Sequence, residues 1–304
     1  MKSRFKTLKV ILLMTIAVVS ISNVSTTIVR ADETQEETVT TEETIVTENS
    51  KGETEEENKT EQASDKKQEY GAELKAYVVL DSYKKRLNVR TEPNENATIL
   101  EKLKPGEVVI LESEESEEWI EVLTSSGTTG FVSKKYLQTQ SLDVQDFELI
   151  SAAVVTKKDS SEDRNFNMAK ASEAINGYIM LPQDEFNWYG RNWEGGVVGN
   201  ANKENGYKKA GIIVNEKATT GYGGGVCQVS TTLYNAILRA GISDIHKNEH
   251  SLKSSYIEDG MDATVSYKSY NFWFTNTLDY PIMIWAHTNG GQVIVEIYRI
   301  LPVK

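Results

Sequence analysis

Gly221-Tyr222-Gly223-Gly224-Gly225-Val226-Cys227-Gln228-Val229-Ser230 places the chain's one cysteine where a glycine-rich loop runs into a helix. Beyond it, Val226, Val229, Leu233, Ile237 and Ala240 recur at helical spacing, and Gly241 follows as a stop signal. Cys227 therefore belongs to the first turn, where unpaired backbone N–H groups and the positive end of the helix dipole favour a thiolate. Gly223, Gly224 and Gly225 clear the approach to it and permit backbone angles that other residues resist. An open nucleophile beside N–H donors suits acyl transfer, with the N–H groups of the 223–228 turn holding the oxyanion. The same stretch also reads as a small residue capping a packed helix, or as an anion site that needs only the N–H groups.

Around this stretch the pattern is α+β. Strands are expected at 147–156, 178–181, 206–214, 244–247, 263–267, 271–275, 281–287 and 292–298, the last two joined at Asn289-Gly290-Gly291. A second helix is expected over 164–176, with Gly177 ending it. Strands clustered about two helices, without βαβ alternation, define the class. Residues 187–205 read as a long functional loop, whose Trp188, Tyr189 and Trp193 are suited to a substrate wall.

Upstream, residues 76–137 run in short β-rich pieces at 76–80, 87–90, 99–103, 108–111, 119–123 and 129–132. Turn signals at Glu92-Pro93-Asn94, Pro105-Gly106 and Ser125-Ser126-Gly127 separate them, as in a small barrel. The whole is thus mainly β with an α+β second domain, divided as 1–31, 32–69, 70–140 and 147–304.

The first two segments set the compartment. Lys2, Arg4, Lys6 and Lys9 precede an apolar run at 10–19, and Val29-Arg30-Ala31 is a small-residue cleavage site, so residues 1–31 read as a secretory signal peptide. A membrane is a partner only if that segment is retained. Residues 32–69, rich in Thr, Glu and Lys, cannot bury enough apolar surface to fold and read as a disordered acidic spacer. The net charge of −12 argues against nucleic acid as a partner. One cysteine excludes an internal disulfide, and with 3 histidines it argues against a structural zinc site. The sequence calls for no cofactor and no metal.

Leu87-Asn88-Val89-Arg90-Thr91-Glu92-Pro93, Lys104-Pro105-Gly106, Trp119-Ile120 and Gly130-Phe131-Val132 resemble a bacterial SH3-like (SH3b) domain. The resemblance implies a module that tethers an exported protein to cell-wall peptide, with Trp119 and Tyr136 placed to line a groove. Residues 221–236, with Glu249-His250-Ser251, Tyr256, Gly260 and Asp262-Ala263-Thr264-Val265, resemble a VanW domain, a family named after an accessory protein of vancomycin-resistance clusters. Arg164-Asn165-Phe166-Asn167 and Ile175-Asn176-Gly177 fit the family's upstream helix. Leu181-Pro182-Gln183-Asp184-Glu185-Phe186-Asn187 departs from it where a Pro-Gly-Glu turn is expected. The resemblance implies the domain without a reaction.

A cysteine nucleophile needs a histidine to take its proton and a third group to orient that ring. His250 lies in the family motif; His246 is four residues earlier, and His287 ends a late strand. The set chosen is Cys227 as nucleophile, His250 as base and then acid, and Asp262 as orienting carboxylate. Gln228 is an oxyanion donor, and Tyr234 closes a pocket wall. The two readings carried forward are a secreted, wall-associated thiol acyl-transfer enzyme acting on peptidoglycan peptides, and a non-catalytic wall-binding scaffold.

Overall fold

The computed structural model describes residues 73–302 except 115, 215 and 216. The leader and spacer expected over residues 1–69 lie outside the described residues. Alternation of apolar and polar residues builds the first domain from seven strands: β1 (Lys75–Val78), β2 (Leu87–Arg90), β3 (Ile99–Leu103), β4 (Val108–Glu114), β5 (Trp119–Thr124), β6 (Thr129–Ser133) and β7 (Leu137–Thr139). They form one antiparallel sheet in the order β3-β2-β6-β5-β4-β1-β7. Leu87 and Val89 of β2 and Ile120 and Val122 of β5 point inward, so successive side chains take opposite faces. Each such buried Val, Leu or Ile contributes about 1.5–3 kcal/mol.

The second domain runs β8 (Phe147–Thr156), α1 (Glu162–Ile175), β9 (Tyr178–Met180), β10 (Glu185–Asn187), β11 (Lys209–Val214), β12 (Lys217–Tyr222), α2 (Val226–Arg239), β13 (Ile245–His246), β14 (Trp273–Thr275), β15 (Ile282–Asn289) and β16 (Gln292–Ile300). Its main sheet has the order β8-β16-β15-β9, antiparallel throughout. α2 packs on β8 and β16, and α1 on β15. The sheet is buried on both faces. Val293, Val295 and Ile297 of β16 join the core beneath the helices. Ile294 and Tyr298 meet Tyr77 of β1, with Leu149, Ala152 and Val154 of β8, in a cluster shared with the barrel. Arg239 of α2 reaches through, its Nη1 donating to Pro105 O (3.0 Å) and Ala152 O (2.8 Å).

That shared face encloses a carboxyl group. Glu296 is fully buried, and its oxygens accept from Ser141 N (3.0 Å), Ser141 Oγ (2.6 Å) and Tyr298 Oη (2.9 Å). Burial pushes its pKa up, and these hydrogen bonds offset that in part.

Three expectations change. Residues 263–267 are not a strand; only the bridges Asn248–Thr264 and Ser266–Tyr270 form. Their backbone is engaged instead by α2, with Ala263 O accepting from Ser230 Oγ (2.6 Å) and Ala263 N donating to Thr231 Oγ1 (3.1 Å). Residues 217–222, presented by the sequence as loop, pair as β12 with β11. The 181–184 turn keeps its shape without the expected glycine: Asp184 N bonds Leu181 O (3.0 Å), and Gln183 takes φ +71°. That left-handed angle is one a non-glycine residue adopts at about 1–2 kcal/mol.

Candidate functional site

The glycine loop is held from below by α1. Asn167 is fully buried; its Nδ2 donates to Lys208 O (2.9 Å) and Gly224 O (3.0 Å), and its Oδ1 accepts from Lys208 N (2.8 Å). A Cβ on Gly224 would stand 2.7 Å from the Ala210 carbonyl carbon, and Gly225 takes φ +112° as it enters α2. Only glycine fits that conformation. Within the turn, Gly223 N, Val226 N and Gln228 N donate to Lys208 O, Gly223 O and Gly225 O. Of the N–H groups expected to hold an oxyanion, those of Gly224, Gly225 and Cys227 are the ones without a hydrogen bond among the described residues.

Cys227 is half-buried in the first turn of α2. Its Sγ lies 3.4 Å from Val265 O and 3.6 Å from Thr264 Oγ1. The same segment brings the other two residues together. The Asn248–Thr264 bridge is antiparallel, so His250 and Asp262, two residues further on and two residues back, come opposite each other. Asn235 Nδ2, from α2, fixes Met261 O at 2.7 Å. Asp262 Oδ2 then accepts from both His250 N (2.7 Å) and His250 Nδ1 (2.6 Å). With Nδ1–H donated to the carboxylate, Nε2 is the ring nitrogen left for the sulfur.

His250 and Cys227 interact electrostatically, and each shifts the other. For Cys227, burial pushes the pKa up, but His250, followed by Val265 and Thr264, pulls it down, and the net shift is downward. For His250, burial pushes down, and Cys227 followed by Asp262 raise it above its ordinary value. Both shifts favour a thiolate beside an imidazolium, at the positive end of a helix. Such a pair can attack a carbonyl carbon and return a proton to a leaving group.

Several expected residues sit elsewhere. Gln228 is fully buried; its Nε2 donates to Val155 O and Gly291 O (both 3.0 Å), and its Oε1 accepts from Arg164 Nη2 (3.1 Å), so the amide is not free to meet an oxyanion. Trp188 is fully buried against Phe186 and Phe272 and forms no wall. Tyr189 is buried, and burial, then the charge of Cys227, raises its hydroxyl pKa. Trp193 packs behind it, ring centroids 5.7 Å apart. Tyr234 lies seven residues along α2 from Cys227, about 10 Å of helix rise, and is buried under Lys247. His246 stacks on Trp273 at 3.5 Å, and His287 faces Gln138 of the barrel.

Two side chains near the sulfur carried sequence signals only as parts of the family motifs. Tyr256 is buried, and burial followed by the Cys227 charge raises its pKa. Arg164 sits on the first turn of α1, where burial lowers its pKa, with Tyr256 and Cys227 in its electrostatic surroundings. Separately, a cleft of about 1080 Å³ opens beside the barrel, lined by Trp119, Lys135 and Tyr136 on one side and by Thr156, Lys157 and Gly291 on the other. Cys227 is not among its lining residues. Among the described residues, no group of three or more His, Cys, Asp or Glu could hold a metal ion, and no helix is long and apolar enough to cross a membrane.

A seven-stranded SH3-like sheet joined to an α+β domain in which His250 pairs with Asp262 defines a two-domain protein of a cell-wall-associated class. Residues 163–298 match the family described as VanW like protein, and residues 85–138 match the bacterial SH3 domain. It is a VanW-domain protein with a bacterial SH3 domain. The uncharacterized protein YoaR of Bacillus subtilis (strain 168) is 37% identical over 139 residues, covering 46% of this chain and 44% of that protein. The vancomycin B-type resistance protein VanW of Enterococcus faecalis (strain ATCC 700802 / V583) is 28% identical over 142 residues, covering 45% of this chain and 50% of that one. The chain spans about half the length of these curated relatives.

Proposed function

We propose that this protein is an exported thiol acyl-transfer enzyme that acts on peptidoglycan peptides while its SH3 domain holds the wall. The observation that carries the reading is the His250 ring, held by Asp262 at 2.6 Å and acting on the Cys227 thiol. The Cys227 thiolate attacks a peptide carbonyl carbon; a C–S bond forms, and the carbonyl π pair moves onto oxygen, facing the N–H groups of Gly224, Gly225 and Cys227. As the oxyanion collapses, the C–N bond breaks and His250 gives its proton to the leaving amine. The thioester passes its acyl group to water or to a second amine, whose proton His250 takes. Asp262 keeps the ring in register throughout. Trp119 and Tyr136, in the cleft beside the barrel, are the wall-binding side chains in this reading.

The test is Cys227→Ala on purified peptidoglycan fragments, with products read by mass spectrometry. Product formation is expected to vanish while the melting temperature stays nearly constant, because Cys227 is only half-buried. A loss of stability with no change in any product would leave a wall-binding scaffold instead.

A further inference from the structure

Among the described residues, Arg164 is a cation with no carboxylate in hydrogen-bond contact. Its Nη2 donates to Gln228 Oε1 (3.1 Å) and its Nη1 to Gly211 O (3.5 Å), both neutral acceptors. Its Nε is shut off from solvent with no hydrogen-bond partner. The neighbouring carboxylates are engaged elsewhere: Asp163 with Lys208 (3.3 Å) and Asp262 with His250 (2.6 Å). The Cys227 sulfur is matched by the His250 ring. Withdrawing a guanidinium from water against neutral groups alone is unfavourable, and such groups are retained where an anion is to be met.

The position is equally specific. Ser161 caps α1 by accepting from Arg164 N (3.3 Å), which fixes the backbone of this residue. A Cβ on Gly225 would lie 3.0 Å from Arg164 Cγ, so the aliphatic stem runs across the residue that opens α2. The guanidinium then ends on Gln228, the residue directly after the cysteine. Each Nη atom carries a second N–H beyond the one donated to Gly211 O or Gln228 Oε1, and a planar fork of that kind matches the geometry of a carboxylate.

We propose that Arg164 binds a carboxylate of the substrate, so that the peptide attacked by Cys227 carries a free carboxylate next to the bond that breaks. This rests on the acyl-transfer reading above and narrows its substrate class. Peptides whose carboxylate in that position is amidated are then poor substrates, because the guanidinium is left facing a neutral group.

Two alkylating agents test this without any substrate. Iodoacetate and iodoacetamide both form a C–S bond with the thiolate and release iodide, but only iodoacetate carries a carboxylate. The ratio of their rates on the full chain therefore reads the local affinity for that group and cancels changes in thiol ionisation. Arg164→Gln is expected to lower the iodoacetate-to-iodoacetamide ratio about tenfold, the contribution of one charge-assisted hydrogen bond. Arg164→Lys, which keeps the charge and loses the fork, is expected to fall between. On the unsubstituted protein, N-acetylalanine is expected to slow iodoacetamide alkylation of Cys227 more than N-acetylalaninamide does.

An unchanged ratio in a folded Arg164→Gln chain, or equal protection by the acid and the amide, would overturn the carboxylate site and leave the nucleophile reading standing. A Cys227 inert to both reagents would overturn the nucleophile reading and the carboxylate site with it.

Discussion

Replacing His250 with Ala removes the group that holds the Cys227 thiol pKa down but leaves the burial that pushes it up. The parent titrates below the ordinary value of 9.0, and the variant is expected to titrate higher than the parent, nearer that ordinary value. At pH 6 a thiol of that kind is only about one part in a thousand thiolate. A more acidic thiol is also a weaker nucleophile, with a Brønsted slope of about 0.4–0.5, which offsets part of the difference. The net expectation is an iodoacetamide rate at pH 6 that is lower in the variant by about threefold for each unit separating the two pKa values. The shape of the profile is the firmer signature. Across neutral pH the variant should gain about tenfold per pH unit up to its own pKa, the parent should level off at lower pH, and the gap should close and then reverse as both thiols ionise. Rates are read by mass spectrometry of the labelled chain, with the melting curve checking the fold. Parallel profiles for the two proteins would refute a thiolate–imidazolium pair at this site.

Two further outcomes follow from the packing. Glu296→Gln retains an acceptor for Ser141 N and Tyr298 Oη and can donate to Ser141 Oγ. Because the folded-state pKa of Glu296 is raised above 4.5, ionisation opposes folding as pH rises, and that penalty is absent below the unfolded pKa. The variant should therefore be more stable than the parent at pH 8 in denaturant titrations, with the advantage disappearing below about pH 4.5; a difference independent of pH contradicts this. Tyr136→Ala removes an exposed aromatic ring of the barrel-side cleft (38% accessible), so stability should change by no more than about 0.5 kcal/mol. Sedimentation of the full chain with purified walls should drop, and undiminished sedimentation would place wall binding on another surface.

The amino-acid sequence by itself determined the elements whose signals are local. The Gly223–Gly225 loop, the helix from Val226 to the Gly241 stop and the strands Leu87–Arg90, Ile99–Leu103 and Phe147–Thr156 follow from spacing and turn chemistry within a few residues. The pairing of His250 with Asp262 was legible in part, through the family motif that holds both. Residues 263–267 show the limit of such a reading. Their alternation is that of a strand, yet the buried hydroxyls of Ser230 and Thr231 capture the backbone of Ala263, and no strand forms there.

Only the tertiary structure decided where the barrel goes and which polar side chains remain available. β16 reads as an apolar run, and an apolar run does not say what covers each face. Tyr77 of the barrel covers one face and α2 the other, and this arrangement is what buries Glu296. Gln228 and Arg164 make the same point at the site. A glutamine beside a nucleophile looks like a donor, but its amide is taken by Val155 and Gly291, residues far away in the chain. An arginine on the first turn of α1 looks like a solvated charge, but α2 lies beneath it and no carboxylate among the described residues pairs with it. Hydrogen-bond partners at that range are set by how helices and sheet pack together, which no local pattern records.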